Sequence, residues 1–306
     1  MKRICGVIVM ASPSEVVLLT GADGFTGRYL AARLRAEGAR VFGLTRTAPG
    51  ADEVQAELSD GGAVAAAVAK VTPDIVIHLA GITTALHPDV PEIYAVNTVG
   101  TANLLAALVA GPKPPRQVII ASSATVYAPP LGDAPITEDH ARRPAHHYGA
   151  SKLAAEEIAR LYSNKLPIIV TRPFNYTGVG QTGDFIVRKI VRHFQEGARE
   201  IRLGELQLDR DFSDVEDVVE AYVRLTKVSS DYAIVNLCSG NVVHLADIVP
   251  MLVEITGQPM TVVRDERFVR GGEPRVIRGS PERLHAMIGA FPRRPFRETL
   301  ERMVRA

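Results

Sequence analysis

The sequence predicts an α/β fold, a doubly wound parallel sheet joined to a smaller C-terminal lobe. Three observations carry that reading. An apolar run at residues 16–19 enters a glycine-rich turn and then a helix-forming segment. Strand-like and helix-like segments alternate from there without repeating at a fixed period. A long, Pro-rich connection at residues 128–147 follows the fifth strand-like segment, and a structureless connection of that length usually serves a site.

Composition narrows the function classes. With 306 residues the chain can build one large α/β unit or two closely joined lobes. The 35 Lys and Arg are matched by 34 Asp and Glu, which argues against a nucleic-acid or membrane-surface partner. Any anionic ligand must then be met by local arginines. Cys5 and Cys238 fit no metal or redox spacing, so no metal is expected and a cytoplasmic setting is the simplest. Lys2-Arg3 followed by apolar residues 4–11 is short for a secretory leader and reads as an extra strand or a disordered leader. No run approaches the ~18 apolar residues of a membrane-spanning helix.

Four successive apolar residues at 16–19 read as a buried parallel strand. Gly21, Gly24 and Gly27 follow at G-x-x-G-x-x-G spacing, ahead of a helix at residues 28–37 that Gly38 ends. Gly21 permits the tight turn, Gly24 lets a diphosphate approach the backbone, and Gly27 lets helix pack on strand, a Rossmann-type dinucleotide pattern. The helix N-terminus adds free N–H groups and a positive dipole end. The strand at 40–44 ends in Leu44-Thr45-Arg46-Thr47, with no acid to accept bonds from ribose hydroxyls. Arg46, assisted by the hydroxyls of Thr45 and Thr47, suits a 2′-phosphate, so NADP(H) is favoured over NAD(H). The plain alternative is a solvated surface arginine.

Residues 56–60 read as a third strand running into an Ala-rich helix at 62–70; Glu57 either reaches the adenine amino group or caps that helix. Residues 74–80, with Gly81 behind them, form a fourth strand in which His78 reads as a satisfied core histidine rather than a ligand. The helix at 91–110 carries an apolar stripe of Ile93, Val96, Gly100, Leu104 and Leu108. Asn97 lies off that stripe and needs hydrogen-bond partners. Residues 117–121 make the fifth strand, so Ser123 falls at the C-terminal end of the sheet, where ligands of this architecture sit.

Tyr148-Gly-Ala-Ser-Lys152 opens the next helix and sets a phenol and an ammonium on one face. A phenol, with an ordinary pKa of ~10, needs a nearby cation to stabilise its phenolate, and Lys152 can supply one while reaching the nicotinamide ribose. Ser123 can hold a substrate oxygen beside the phenol. Together the three form a proton relay next to a hydride carrier.

On these residues the chain resembles the extended short-chain dehydrogenase/reductases, a group of nucleotide-sugar epimerases, dehydratases and reductases. The resemblance runs from about Val16 to the C-terminus. Gly21, Gly24 and Gly27 match the family's cofactor turn, and Ser123, Tyr148 and Lys152 its catalytic triad. Arg172-Pro-Phe-Asn175, Arg210-Asp211-Phe212-Ser-Asp-Val-Glu-Asp217 and Asn236-Leu-Cys-Ser-Gly240 follow in the family's order. The resemblance implies further cofactor contacts at Phe25, Thr26, Leu58, Leu79, Ala80, Gly81, Asn97 and Pro173. It implies substrate contacts at Thr83, Thr125, Asn175, Arg188, Arg210, Arg270 and Glu273, with Arg210 and Arg270 on the diphosphate. A homodimer pairing the helices at 91–110 and 148–162 is also implied. The cofactor domain would comprise residues 1–173 and 211–240, and the sugar-nucleotide lobe residues 174–210 and 241–306.

Departures from the family's patterns narrow the chemistry. The 4,6-dehydratases carry an acidic pair where Ala124 and Thr125 stand, and the fucose-type epimerase-reductases carry a cysteine where Thr125 stands. Chemistry at C4 remains. The segments at 172–181 and 275–284 resemble reductases of GDP-4-keto-6-deoxymannose, whereas Ser123-Ala-Thr-Val-Tyr127 looks epimerase-like. The expectation is NADPH-dependent reduction of the C4 ketone of a nucleotide-linked 4-keto-6-deoxyhexose. An NAD-dependent 4-epimerase is the alternative, and a non-catalytic NADP(H)-binding regulatory protein is the alternative of another class.

Overall fold

The large sheet forms where the sequence is most continuously apolar. A computed structural model describes residues 15–47, 50–84, 87–130, 132–269 and 272–306, so the leader expected at 1–14 lies outside the described residues. Seven parallel strands lie side by side: β3 (Glu53–Gln55), β2 (Arg40–Thr45), β1 (Val16–Thr20), β4 (Ile75–His78), β5 (Gln117–Ala121), β6 (Ile168–Pro173) and β10 (Tyr232–Leu237). Alternation along β1 divides the core. Val17 and Leu19 join a cluster with α1 (Phe25–Ala36) and α7 (Val215–Leu225), while Leu18 joins one with α2 (Gly61–Val71) and α4 (Gly100–Ala110). Ala159 of α5 (His147–Tyr162) belongs to the second cluster. Both faces of the sheet are therefore covered, as a parallel sheet requires.

Two expectations shift. The third strand is Glu53–Gln55 rather than residues 56–60, because Gly43, Leu44 and Thr45 of β2 take Glu53, Val54 and Gln55 as partners. Asp60, not Glu57, caps α2: its carboxylate accepts bonds from the amides of Gly62 at 2.9 Å and Ala63 at 3.0 Å.

The helix expected at 91–110 also differs from the pattern. It begins as α3 (Val90–Tyr94), passes through a π-turn at Ala95–Val99 and continues as α4. A π-turn inserts one residue per turn and rotates the face that follows. Asn97 is consequently buried, at 1% exposure, while Val96 is only half-buried, so the polar residue takes the inward position. Val90–Ala110 is also long and apolar enough to cross a membrane by length and composition, contrary to expectation. Here Ile93, Leu104, Leu105 and Leu108 are buried within the fold.

A second sheet is built from β7 (Asn175–Thr177), β9 (Asp209–Asp214), β11 (Val242–His244) and β13 (Val276–Ile277), and β8 (Glu200–Leu203) pairs with β12 (Thr261–Arg264). Helices α6 (Ile186–Gln195), α8 (Ile248–Thr256) and α10 (Phe296–Arg305) close over a third cluster that includes Val187, Ile190, Leu252 and Leu300. Each such side chain contributes roughly 1.5–3 kcal/mol when fully buried. The boundary expected at residue 211 falls inside β9. Leu284 of α9 (Glu282–Ile288) packs into the core of the seven-stranded sheet.

Candidate active site

The glycine turn is a steric cradle. Gly21 has φ +68°, and a Cβ there would lie 2.9 Å from the Ala80 amide nitrogen; a Cβ at Gly27 would lie 2.0 Å from the Gly21 carbonyl oxygen. Gly24 is the N-cap of α1 without a side chain to cap it, and the first turn carries no acid. The leading amides are thus left to an anion at the positive end of the helix. A dinucleotide diphosphate fits that cradle and that charge. The side chains of Phe25 and Thr26 meet Tyr176: the Phe25 ring stacks on it at 6.2 Å, and the Thr26 hydroxyl shares a 2.9 Å hydrogen bond with its phenol.

At the end of β2, Arg46 is exposed, and no ion pair holds its guanidinium among the described residues. Thr45, expected to assist it, is buried and donates its hydroxyl proton to the Thr47 carbonyl at 3.2 Å, so that proton is committed within the turn. Glu57 is half-buried and Leu58 is buried, its Cβ 2.8 Å from where a Cβ on Gly100 would stand. At the end of β4, Leu79, Ala80 and Gly81 are partly exposed, and the Ala80 amide donates to the Thr20 hydroxyl at 3.0 Å. A Cβ on Gly81 would meet Asn97 Oδ1 at 2.8 Å and Lys152 Nζ at 3.0 Å, so the absence of a side chain lets three elements converge.

Asn97 explains its own burial. Its Oδ1 accepts from the Ile82 amide at 2.8 Å, and its Nδ2 donates to the Ile82 carbonyl and the Ser151 hydroxyl, each at 3.0 Å. Ser151 in turn donates to the Tyr148 carbonyl at 2.8 Å. Asn97 therefore ties the loop after β4 to the first turn of α5. His78 is the satisfied core histidine its context suggested, with ring nitrogens 2.7 Å from the Thr20 hydroxyl and 3.0 Å from that of Thr101. Burial pushes its pKa down to about 3, with the Lys152 charge adding to the shift.

Ser123, Tyr148 and Lys152 are all buried at the C-terminal edge of the sheet. The Ser123 oxygen accepts from the Thr125 amide at 3.2 Å and from the Thr125 hydroxyl at 3.0 Å. With both lone pairs engaged, its proton is free for the phenol or a substrate oxygen. Burial pushes the Tyr148 phenol up to about 12, opposed by its hydrogen bond with Ser123. Lys152, expected to lower that phenol, is itself held down to about 8 by burial, with Glu156 opposing, and its Nζ donates to the Ala121 carbonyl at 2.8 Å. The phenol is accordingly fully protonated at neutral pH, the state a proton donor needs.

The residues expected to meet substrate separate into three groups. Thr83, Thr125 and Asn175 are exposed, Asn175 Nδ2 donating to the Asp211 carbonyl at 3.2 Å. Arg188 lines a cleft of about 300 Å³ with Thr182, Gly183, Asp184, Lys189 and Arg192. Its Nε donates to the Gln181 carbonyl at 2.8 Å, while its Nη1 is buried without a partner among the described residues. Arg210, expected on a diphosphate, is instead bound inside the protein: Nη2 pairs with Glu273 at 2.9 Å, and Nη1 donates to the Asp209, Pro274 and Arg275 carbonyls. Glu273 is thereby also occupied. Arg270 lies outside the described residues. Pro173 closes β6, partly exposed.

Sequence reading missed two buried polar centres. Glu156 and Arg172 form a bidentate pair, each 1% exposed, and Asp211 accepts from the amides of Ser239, Gly240 and Gly279 and from the Ser239 hydroxyl. Burial raises the Asp211 pKa despite those donors. The one available signal was a charged residue at the end of an apolar strand, at Arg172.

Comparison with known proteins agrees with this geometry. The family model described as the NAD dependent epimerase/dehydratase family matches residues 17–238. The chain is 32% identical to GDP-6-deoxy-D-talose 4-dehydrogenase of Aggregatibacter actinomycetemcomitans over 275 residues, 89% of this chain and 91% of that protein. It is also 32% identical to GDP-6-deoxy-D-mannose reductase of Pseudomonas aeruginosa over 302 residues, 94% and 95% of the two chains. Among solved structures it superposes with a TM-score of 0.88 and 40% identity on a candidate epimerase of Burkholderia cenocepacia J2315, covering 95% of this chain and 97% of that one. It superposes with 0.82 and 29% on RMD of Pseudomonas aeruginosa complexed with NADPH, covering 94% and 97%. Fold, glycine cradle and sequence likeness converge on one assignment: the chain belongs to the NAD dependent epimerase/dehydratase family.

Proposed function

We propose that this protein reduces the C4 ketone of a nucleotide-linked 4-keto-6-deoxyhexose with NADPH, the GDP-linked 4-keto-6-deoxymannose being the leading substrate. The observation that carries the reading is the buried Ser123–Tyr148–Lys152 set, with a phenol kept protonated and Lys152 beside Gly81, next to the Ala80 that abuts the glycine cradle at Gly21. The two GDP-sugar relatives and the NADPH-bound structure support the nucleotide and the cofactor. Arg46, exposed and without an ion pair among the described residues at the end of β2, is the residue that would meet the 2′-phosphate, and the uncapped amides of α1 the diphosphate.

NADPH, when bound, supplies the hydride to C4. The protein's part is proton delivery and orientation. Ser123 holds the ketone oxygen, Tyr148 gives its phenolic proton to the alkoxide that develops there, and the Lys152 ammonium stabilises the phenolate left behind. Asn97 and Ser151 keep the start of α5 in place. With Arg210 committed to Glu273, the Arg188 guanidinium, whose Nη1 has no partner among the described residues, is better placed to meet the sugar-nucleotide diphosphate. A homodimer through α4 and α5 is part of the proposal, and the exposed apolar side chains of Val99, Val109 and Leu161 support it.

A second reading, 4-epimerisation with retained NAD, is favoured by the Burkholderia cenocepacia similarity and the Ser123-Ala-Thr-Val-Tyr127 segment. A non-catalytic NADP(H)-binding role is disfavoured by the intact triad. Offering purified protein NADPH with GDP-4-keto-6-deoxymannose separates them: consumption supports the reductase, while sugar interconversion without added reductant supports the epimerase.

A further inference from the structure

Two consecutive residues at the end of β5, Ala121 and Ser122, are each tied to a different residue on one face of α5. The Ala121 carbonyl accepts from Lys152 Nζ at 2.8 Å, and the Ser122 hydroxyl donates to Glu156 Oε1 at 2.5 Å. The next residue, Ser123, acts on Tyr148 of the same helix, lowering its phenol pKa against the effect of burial. Tyr148, Lys152 and Glu156 recur every four residues, so they share that face.

Glu156 is anchored from the opposite side. Arg172 of β6 donates Nε to its Oε1 at 2.9 Å and Nη2 to its Oε2 at 2.6 Å. The remaining Nη1 donates to the Glu138 carbonyl at 3.1 Å, and the guanidinium lies 4.7 Å from the centre of the Tyr127 ring. A buried pair of this kind contributes little net stability but fixes geometry in two directions at once.

We infer that Glu156 is a positioning residue for the proton relay: clamped by Arg172, it holds Ser122, and through the adjoining peptide Ser123, against the helix face that carries Tyr148 and Lys152. Glu156 is also the carboxylate that opposes the loss of charge on Lys152. The groups around it are Arg172 from β6, Tyr127 and Glu138 from the segment after β5, and Tyr232 from β10; His78 of β4 faces Lys152. The inference rests on the reductase reading for its catalytic meaning.

The experiment has two arms. In the first, the seven lysines are isotope-labelled and the Lys152 resonance is titrated by NMR in the wild type and in Glu156→Gln, with Lys152→Arg as the assignment control. The Lys152 midpoint, near pH 8 in the wild type, moves to lower pH in Glu156→Gln. In the second, Ser122→Ala leaves the Glu156–Arg172 pair and the Lys152 titration in place yet lowers kcat on the order of 10- to 100-fold, with KM for NADPH unchanged. Either an unshifted Lys152 midpoint in Glu156→Gln or a wild-type kcat in Ser122→Ala overturns the inference. Should Glu156→Gln fail to fold, Ser122→Ala decides it. Should the wild type turn over no sugar nucleotide, the reductase reading falls while the titration still decides the Glu156–Lys152 link.

Discussion

Gly27 of α1 lies so close to Gly21 that a Cβ on it would come within 2.0 Å of the Gly21 carbonyl oxygen. The atom it would strike is backbone, so no rotamer change relieves the clash. Gly27→Ala should push α1 off β1, lower stability by about 1–3 kcal/mol and abolish NADPH binding. Calorimetric unfolding with and without NADPH checks both; retention of wild-type binding would mean that the cradle does not hold the diphosphate.

Arg46 should set the cofactor preference. A charged hydrogen bond contributes about 1.5–3 kcal/mol, so Arg46→Ala should raise KM for NADPH roughly 10- to 100-fold and leave that for NADH nearly unchanged. Steady-state kinetics with both cofactors reads this out. Equal losses with the two would show that Arg46 serves something other than the 2′-phosphate.

The pH profile should be one-sided. Tyr148, pushed up to about 12, stays protonated through the working range, whereas Lys152, held to about 8, does not. Activity should fall as pH rises past about 8, approaching a tenfold loss per unit as Lys152 loses its charge. Rates measured between pH 6 and 10, about the accessible buffer range, check the limb. A flat profile to pH 10 would remove Lys152 from the relay.

His78 should shape acid stability. Its folded pKa of about 3 lies below the unfolded 6.5, so the unfolded chain binds the proton first. The stability this neutral histidine preserves is fully present above pH 6.5 and is lost as pH falls toward 3, by up to about 1.4 kcal/mol per unit. His78→Gln should flatten that part of a Tm-against-pH curve. An identical slope in the variant would assign acid unfolding to other groups.

How much of this was legible follows from the range of each interaction. The strand–turn–helix at residues 16–36 and the Tyr148–Lys152 spacing are local, and local pattern sufficed to find them. Asn97 falls off the stripe yet is buried because a π-turn breaks the 3.6-residue period on which the stripe was drawn, while its need for hydrogen-bond partners was legible and is met. The β3 shift reflects pairing with β2, a register that propensity over three residues does not carry. Arg210 looked free because its partner Glu273 is 63 residues away, and Glu156 drew no reading because Arg172 reaches it from a strand 16 residues on. Of these long-range charge pairs only Arg172 leaves a trace in the sequence, a charge at the end of the apolar run of β6.

The central claim is that Tyr148 protonates the oxygen on C4 as NADPH delivers hydride to that carbon. The most direct measurement is NADPH absorbance with GDP-4-keto-6-deoxymannose, comparing the wild type with Tyr148→Phe. The account predicts steady consumption by the wild type, a loss on the order of 10²- to 10⁴-fold in kcat for the variant, and NADPH binding retained by both. Turnover by Tyr148→Phe at the wild-type rate would contradict it.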